Sequence, residues 1–194
     1  KWENFIKIVD DAISQGVESI SLHGGGEATL HKKFIDCIKY IKNKGIKCVS
    51  FSNGYTLNQK LCEEISTSGI DVFRISVIGY NPEKYHEWMK MDAFDRVREN
   101  VKSLVKLCKG TNTEIHSNHL ITNNDNREYE VEQYRKNWVD YTETKAEVWM
   151  MHNWSGEYDS PYKRRKEDRR GCGRPFSKIL QVRAGGLNKH QGAV

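Results

Sequence analysis

The residues with the most chemical promise are His23-Gly24-Gly25-Gly26-Glu27-Ala28-Thr29-Leu30. Three consecutive glycines let a ligand approach bare backbone, and the carboxylate beside them suits a ligand ammonium group. Phosphate binding is the wrong chemistry for this loop. A Walker loop needs Gly-Lys-Ser/Thr, a dinucleotide fingerprint needs GxGxxG opening a helix, and a glutamate here would repel phosphate. Two further polar, glycine-containing segments, Ser52-Asn53-Gly54 and Ser76-Val77-Ile78-Gly79, follow strand-like runs. Taken singly, each is accounted for by ordinary turn formation, so their joint placement carries the argument.

The elements that must position these loops follow one rhythm. Trp2, Phe5, Ile6, Val9 and Ile13 recur at three- and four-residue steps and predict a helix ending at Gly16. The run 17–22 predicts a strand that delivers the glycine loop. Phe34, Ile35, Ile38 and Ile41 repeat the helix, Gly45 stops it, and 47–51 is the next strand. Leu57, Leu61, Cys62 and Ile65 precede Gly69 and a strand at 72–77. Phe94, Val97, Val101, Leu104, Val105 and Cys108 precede Gly110 and an extended stretch at 113–121. A helix around 128–139 and a strand at 146–151 complete a fifth unit. Alternating helices and strands predict a parallel α/β sheet with helical crossovers, whose function lies at the carboxyl ends of the strands. The three polar loops fall there. A closed eightfold barrel takes roughly 250 residues, so 194 residues point to a partial barrel or a doubly wound open sheet.

Composition narrows the function classes. The 31 basic and 26 acidic residues are spread widely, which describes a solvated surface, and nucleic acid is not an expected partner. The basic run from Lys163 to Arg170 is interrupted by Glu167 and Asp168. No stretch approaches the roughly 18 apolar residues of a membrane span, and the expected setting is cytoplasmic, with no membrane partner. Cys37, Cys48, Cys62, Cys108 and Cys172 are an odd set with no CxxC pair, so reduced thiols are expected, the first four as small buried hydrophobes. His23, His116, His119 and His152 lack the spacing of a zinc signature and read as ordinary rim and strand residues. Trp149, Met150, Met151 and Trp154 read as core and rim packing.

A glycine-glycine-glutamate loop, then Ser-Asn-Gly, then Arg-Ile-Ser-Val-x-Gly at successive strand ends resembles the radical S-adenosylmethionine (SAM) superfamily over roughly residues 1–156. The resemblance implies a partial (β/α)6 TIM-like barrel lacking its first strand. It also implies an enzyme that cleaves SAM reductively to a 5′-deoxyadenosyl radical and abstracts hydrogen from a substrate. By the same resemblance Gly25, Gly26 and Glu27 engage the SAM amino group, and Ser52 and Asn53 lie near its ribose and methionine portion. Ser76 helps hold its carboxylate or ribose, and Leu120 flanks adenine. The implied cofactors are SAM and a four-iron–four-sulfur cluster, with an electron donor such as flavodoxin or ferredoxin as partner.

Three departures from the family pattern stand out. The CxxxCxxC motif that holds the cluster is absent. Because the chain opens on Lys1 inside a helical pattern and stops at Gly192-Ala193-Val194 with no terminating element, it reads as a fragment whose motif lies upstream and which would not turn over alone. Ile78 stands where many members with peptide substrates have aspartate, and the family's carboxylate-binding arginine has only Lys90 as a stand-in. The segment from Gly171 to Gly186 resembles the opening of a SPASM-type extension, which implies Cys172 as a ligand of an auxiliary iron–sulfur cluster and favours a peptide or protein substrate. The expected organisation is a partial barrel over 1–156 and a linker with the start of that extension over 157–194. A non-catalytic SAM-binding or protein-interaction barrel stays open as an alternative. So does an unrelated α/β-barrel enzyme in which Glu27 alone receives an amine-bearing small molecule.

Overall fold

The computed structural model describes residues 1–123, 125–151 and 182. The chain divides into two compact units, Lys1–Pro161 and Tyr162–Val194, and the elements below all belong to the first. The expected boundary at 156/157 and the SPASM-like segment with Cys172 lie outside the described residues, as do His152, Trp154 and the basic run.

The apolar periodicities become helices α1 (Trp2–Ser14), α2 (Phe34–Asn43), α3 (Gln59–Thr67) and α5 (Phe94–Cys108). Each is followed two residues later by a glycine at positive φ, the backbone state that ends a helix at no steric cost. The intervening strands are β1 (Ser19–Leu22), β2 (Lys47–Ser52), β3 (Val72–Ser76), β4 (Glu114–Ile121) and β5 (Lys145–Met150). Two elements go beyond the sequence reading. A 3₁₀ turn spans Ala28–Leu30, and helix α4 spans Pro82–Met89, opened by Asn81, whose side chain accepts from the Lys84 amide. The expected helix at 128–139 divides into α6 (Arg127–Tyr134) and a π-helical continuation, Arg135–Asp140.

All five strands run parallel in the order β1-β2-β3-β4-β5. Sequential order has no point at which the winding reverses, so crossovers of one hand place every helix on one face. The burial pattern agrees with that single winding. Ile20, Leu22, Cys48, Phe73, Ile75, Ile115 and Val148 join Phe34, Ile38, Ile41, Ile65, Val97, Val101 and Leu104 in one hydrophobic core. Residues of the opposite parity, among them Ser21, Phe51, Arg74, Ser76, His116, Asn118, Glu147 and Trp149, line the other face.

That face is concave. Phe51 on β2 and Trp149 on β5 have ring centroids 6.0 Å apart, although two strands lie between them. In a flat sheet three strand spacings would separate them by about 14 Å. The sheet therefore curls until its second and fifth strands bring side chains together over a trough.

Candidate functional site

Glu27 is the brace of the trough rim. Its Oε2 accepts from the Asn53 amide at 2.7 Å, and its Oε1 accepts from the Thr29 hydroxyl at 2.7 Å and the Thr29 amide at 3.2 Å. The Thr29 hydroxyl also meets that of Thr56 at 2.6 Å. One carboxylate thus ties the β1 exit to the β2 exit, and about one of its four lone-pair sites, on Oε2, is left beyond these three contacts.

Gly24, Gly25 and Gly26 precede it with no positive φ, and among the described residues a Cβ built on any of them meets nothing within 4 Å. Neither backbone conformation nor packing among the described residues calls for glycine here. What three glycines leave is unobstructed backbone facing open space, the condition for close approach of a ligand.

The remaining sequence-predicted residues are set as follows. Ser52 is buried, and its hydroxyl accepts from the Gly54 amide at 3.0 Å, so its side chain serves the turn. Asn53 likewise accepts from the Tyr55 amide at 2.9 Å while its backbone holds Glu27. Gly54 is required on two counts. It has φ +73, and a Cβ would come within 2.9 Å of Val97 Cγ1. Ser76 lies on the trough face, opposite Asn118 in the register, and its hydroxyl has no hydrogen-bond partner among the described residues. Leu120 is buried on the same parity of β4. Lys90 is the left-handed C-cap of α4, at φ 57. The Glu27 carboxylate thus links the loop of Gly25 and Gly26 to the turn of Ser52 and Asn53 through the Asn53 amide, and Ser76 and Leu120 lie on the neighbouring strands β3 and β4.

Other exits are braced as well. Asn100 on α5 donates to the Gly54 carbonyl at 3.0 Å, and Trp138 Nε1 donates to the Gly79 carbonyl at 3.0 Å. Glu130 on α6, fully buried, accepts from His119 Nε2, from the Thr122 amide and hydroxyl, and from the Asn123 amide, all within 3.0 Å. Burial pushes the Glu130 carboxyl up, but those hydrogen bonds outweigh it and leave its pKa below the usual carboxylate value. His119, stacked on Tyr134, also contacts the Val77 carbonyl at 3.0 Å. It is therefore a structural link between β3, β4 and α6.

The trough floor is a polar network that the sequence reading missed. Arg74 Nε donates to both oxygens of Glu147 at 2.9 and 2.8 Å. His116 bridges Glu147 at 2.6 Å and Glu114 at 2.9 Å, and Lys145 reaches Glu114 at 2.6 Å. Burial raises the Glu147 carboxyl, and Arg74 and His116 more than reverse it. Hydrogen bonds from Lys145 and His116 lower Glu114 to about 2. The one sequence signal was the strand alternation, which places charged residues on a face that membership of the core would have made apolar.

Cys37, Cys48, Cys62 and Cys108 are buried and free, and burial pushes their thiols up, to about 12 for Cys48 and about 11 for the others. They fit packing and do not fit an iron–sulfur cluster, which needs thiolates. Among the described residues no three histidine, cysteine or acidic side chains gather as a metal site. No described helix is long and apolar enough to cross a membrane.

Comparison with known proteins agrees with the fold. The family model of the Radical SAM superfamily matches residues 1–133. A probable GTP 3′,8-cyclase of Saccharolobus islandicus is 28% identical over 103 residues, 53% of this chain and 33% of that protein. Its counterpart in Sulfurisphaera tokodaii is 31% identical over 94 residues, 48% and 30% respectively. The chain spans about a third of the length of these curated relatives. Among solved structures, Streptococcus suis SuiB bound to the precursor peptide SuiA superposes with a TM-score of 0.66 at 17% identity, covering 84% of this chain and 35% of SuiB. TYW1 with a lysine-pyruvate adduct bound gives 0.54 at 15% identity, covering 70% and 42%.

Proposed function

The chain belongs to the radical SAM superfamily, and from that premise we propose that its trough rim binds SAM as part of an enzyme that cleaves SAM reductively and abstracts hydrogen from a substrate. The observation that carries this reading is the unobstructed backbone of Gly24–Gly26 beside a fixed carboxylate. Gly25 and Gly26 leave room for the methionine portion, and Glu27 offers its remaining lone pair, on Oε2, to the ammonium group. Ser52 and Asn53 shape the second wall through their turn, Ser76 offers an unspent hydroxyl, and Leu120 flanks the adenine. Because Glu27, Asn100, Trp138 and Glu130 brace the exits, the rim is organised before a ligand arrives.

The family implies a four-iron–four-sulfur cluster, and no described residue fits as its ligand. When bound, that cluster would supply the electron that cleaves SAM to methionine and the hydrogen-abstracting 5′-deoxyadenosyl radical. The curled, singly wound sheet supports the partial (β/α)6 barrel. Cys172 in a SPASM-like segment is retained as a proposed auxiliary-cluster ligand, with a flavodoxin- or ferredoxin-type donor and a cytoplasmic setting. The likeness to SuiB, whose structure holds a precursor peptide, supports a peptide substrate. The curated relatives' names favour a second reading, a nucleotide substrate.

Calorimetric titration with SAM tests the site. Gly25→Val puts a branched side chain where the ligand must pass, at a position whose Cβ meets no described residue within 4 Å. It should weaken SAM binding at least about tenfold while leaving the melting temperature unchanged. Equal affinity in both proteins would contradict the assignment.

A further inference from the structure

The trough floor is unequally spent. Both carboxylates are occupied: Glu147 by Arg74 and His116, with Asn118 Nδ2 at 3.5 Å, and Glu114 by His116 and Lys145. Arg74 is different. Glu147 straddles Nε alone, so neither terminal guanidinium nitrogen has a partner among the described residues. Lys145 and Glu114 at the strand entrances are more exposed but are spent on each other; within the central trio Arg74 is 23% exposed against 15% for Glu147 and 13% for His116, so its free edge is the accessible, unspent charge. Glu147 on one side and the Phe51 ring, 5.3 Å from the guanidinium carbon, on the other hold the group in place.

A fixed guanidinium with four unspent N–H donors matches the geometry of a carboxylate or phosphate. No unspent carboxylate stands nearby to receive a cation instead. We propose that Arg74 is a specificity-determining residue that takes an anionic group, carboxylate or phosphate, of the substrate at the floor of the trough. Glu147 is its positioning residue. The proposal rests on the reading of the trough as the substrate side of a SAM-dependent site, and it narrows that substrate to one carrying an oxyanion.

The test is heteronuclear NMR of the 194-residue chain, observing the Arg74 Nε–H resonance, which its hydrogen bonds to Glu147 shield from exchange and which is assigned by its loss in Arg74→Lys. The probes are N-acetylglycine, inorganic phosphate and, as neutral control, N-acetylglycinamide. At least one anion should shift the resonance saturably and the control should not. Arg74→Lys should weaken anion binding, followed at the Ser76 and Asn118 amides, about tenfold. Glu147→Gln removes the competing charge while keeping an acceptor and should tighten it. Tighter binding of phosphate assigns a phosphoryl group, and tighter binding of N-acetylglycine assigns a carboxylate. Absence of a saturable shift with either anion, or an equal shift with the control, overturns the proposal. Titration with SAM in the same samples reads the Gly24–Gly26 amides separately. Failure at Arg74 with SAM binding intact refutes only this inference, whereas loss of SAM binding refutes the function on which it rests.

Discussion

At the scale of single residues, Glu27 has two tasks that the sequence shows unequally. Its charge beside three glycines is legible, because an acid next to bare backbone is a recognisable arrangement for an ammonium ligand. Its role as a brace is not, since the Asn53 amide it holds lies 26 residues onward and on another strand. Glu27→Ala should therefore do two things at once. It should weaken SAM binding by about 1.5–3 kcal/mol, the range for a hydrogen bond to a charged group, as read by calorimetry. It should also lower the melting temperature, because the Asn53 amide loses its acceptor. Arg74 and Glu130 were illegible for the same reason. Their partners are brought together by strand register and by the packing of α6, and a lone charged residue in a strand or helix reads as solvated.

At the scale of elements, the helices and strands with a regular apolar period were readable, and the two missed elements lack one. Helix α4 has only Tyr85 fully buried. Its signature was the pair Asn81-Pro82, an N-cap followed by proline at the first helical position. The turn leading into α4 depends on Gly79, which has φ +107 and whose added Cβ would lie 2.3 Å from the Tyr85 amide nitrogen. Gly79→Ala must move backbone and should cost about 3 kcal/mol or more in a denaturation experiment. The β4–α6 link makes a pH prediction. Glu130 has a folded pKa below its unfolded value of 4.5, so the unfolded chain takes up that proton first as pH falls. The stabilisation is complete above about pH 4.5 and is lost on acidification through the folded pKa. Melting temperatures of wild type should fall in that acid range. Glu130→Gln, whose amide nitrogen cannot accept from the Asn123 or Thr122 donors, should already be destabilised by about 3–5 kcal/mol at neutral pH and should lose this part of the acid dependence.

At the scale of the whole molecule, alternating elements made the parallel sheet legible and left the choice between single and double winding open. The observed strand order decides for single winding. Curvature was beyond the sequence pattern, because alternation assigns faces without saying how far the faces bend. Contact between Phe51 and Trp149 across two strands records that bend. Trp149 is 43% exposed in the trough, so Trp149→Ala should cost only about 1 kcal/mol of stability while perturbing any ligand held over the floor, a separation that thermal melts and ligand titrations can read together. The central claim is that the β1 exit loop receives SAM, and mapping backbone amide shifts during a SAM titration tests it most directly. The Gly24, Gly25 and Gly26 amides should shift saturably, joined by Ser76 and by Asn53. Shifts confined to other parts of the chain, or none at the glycine loop, would contradict the account.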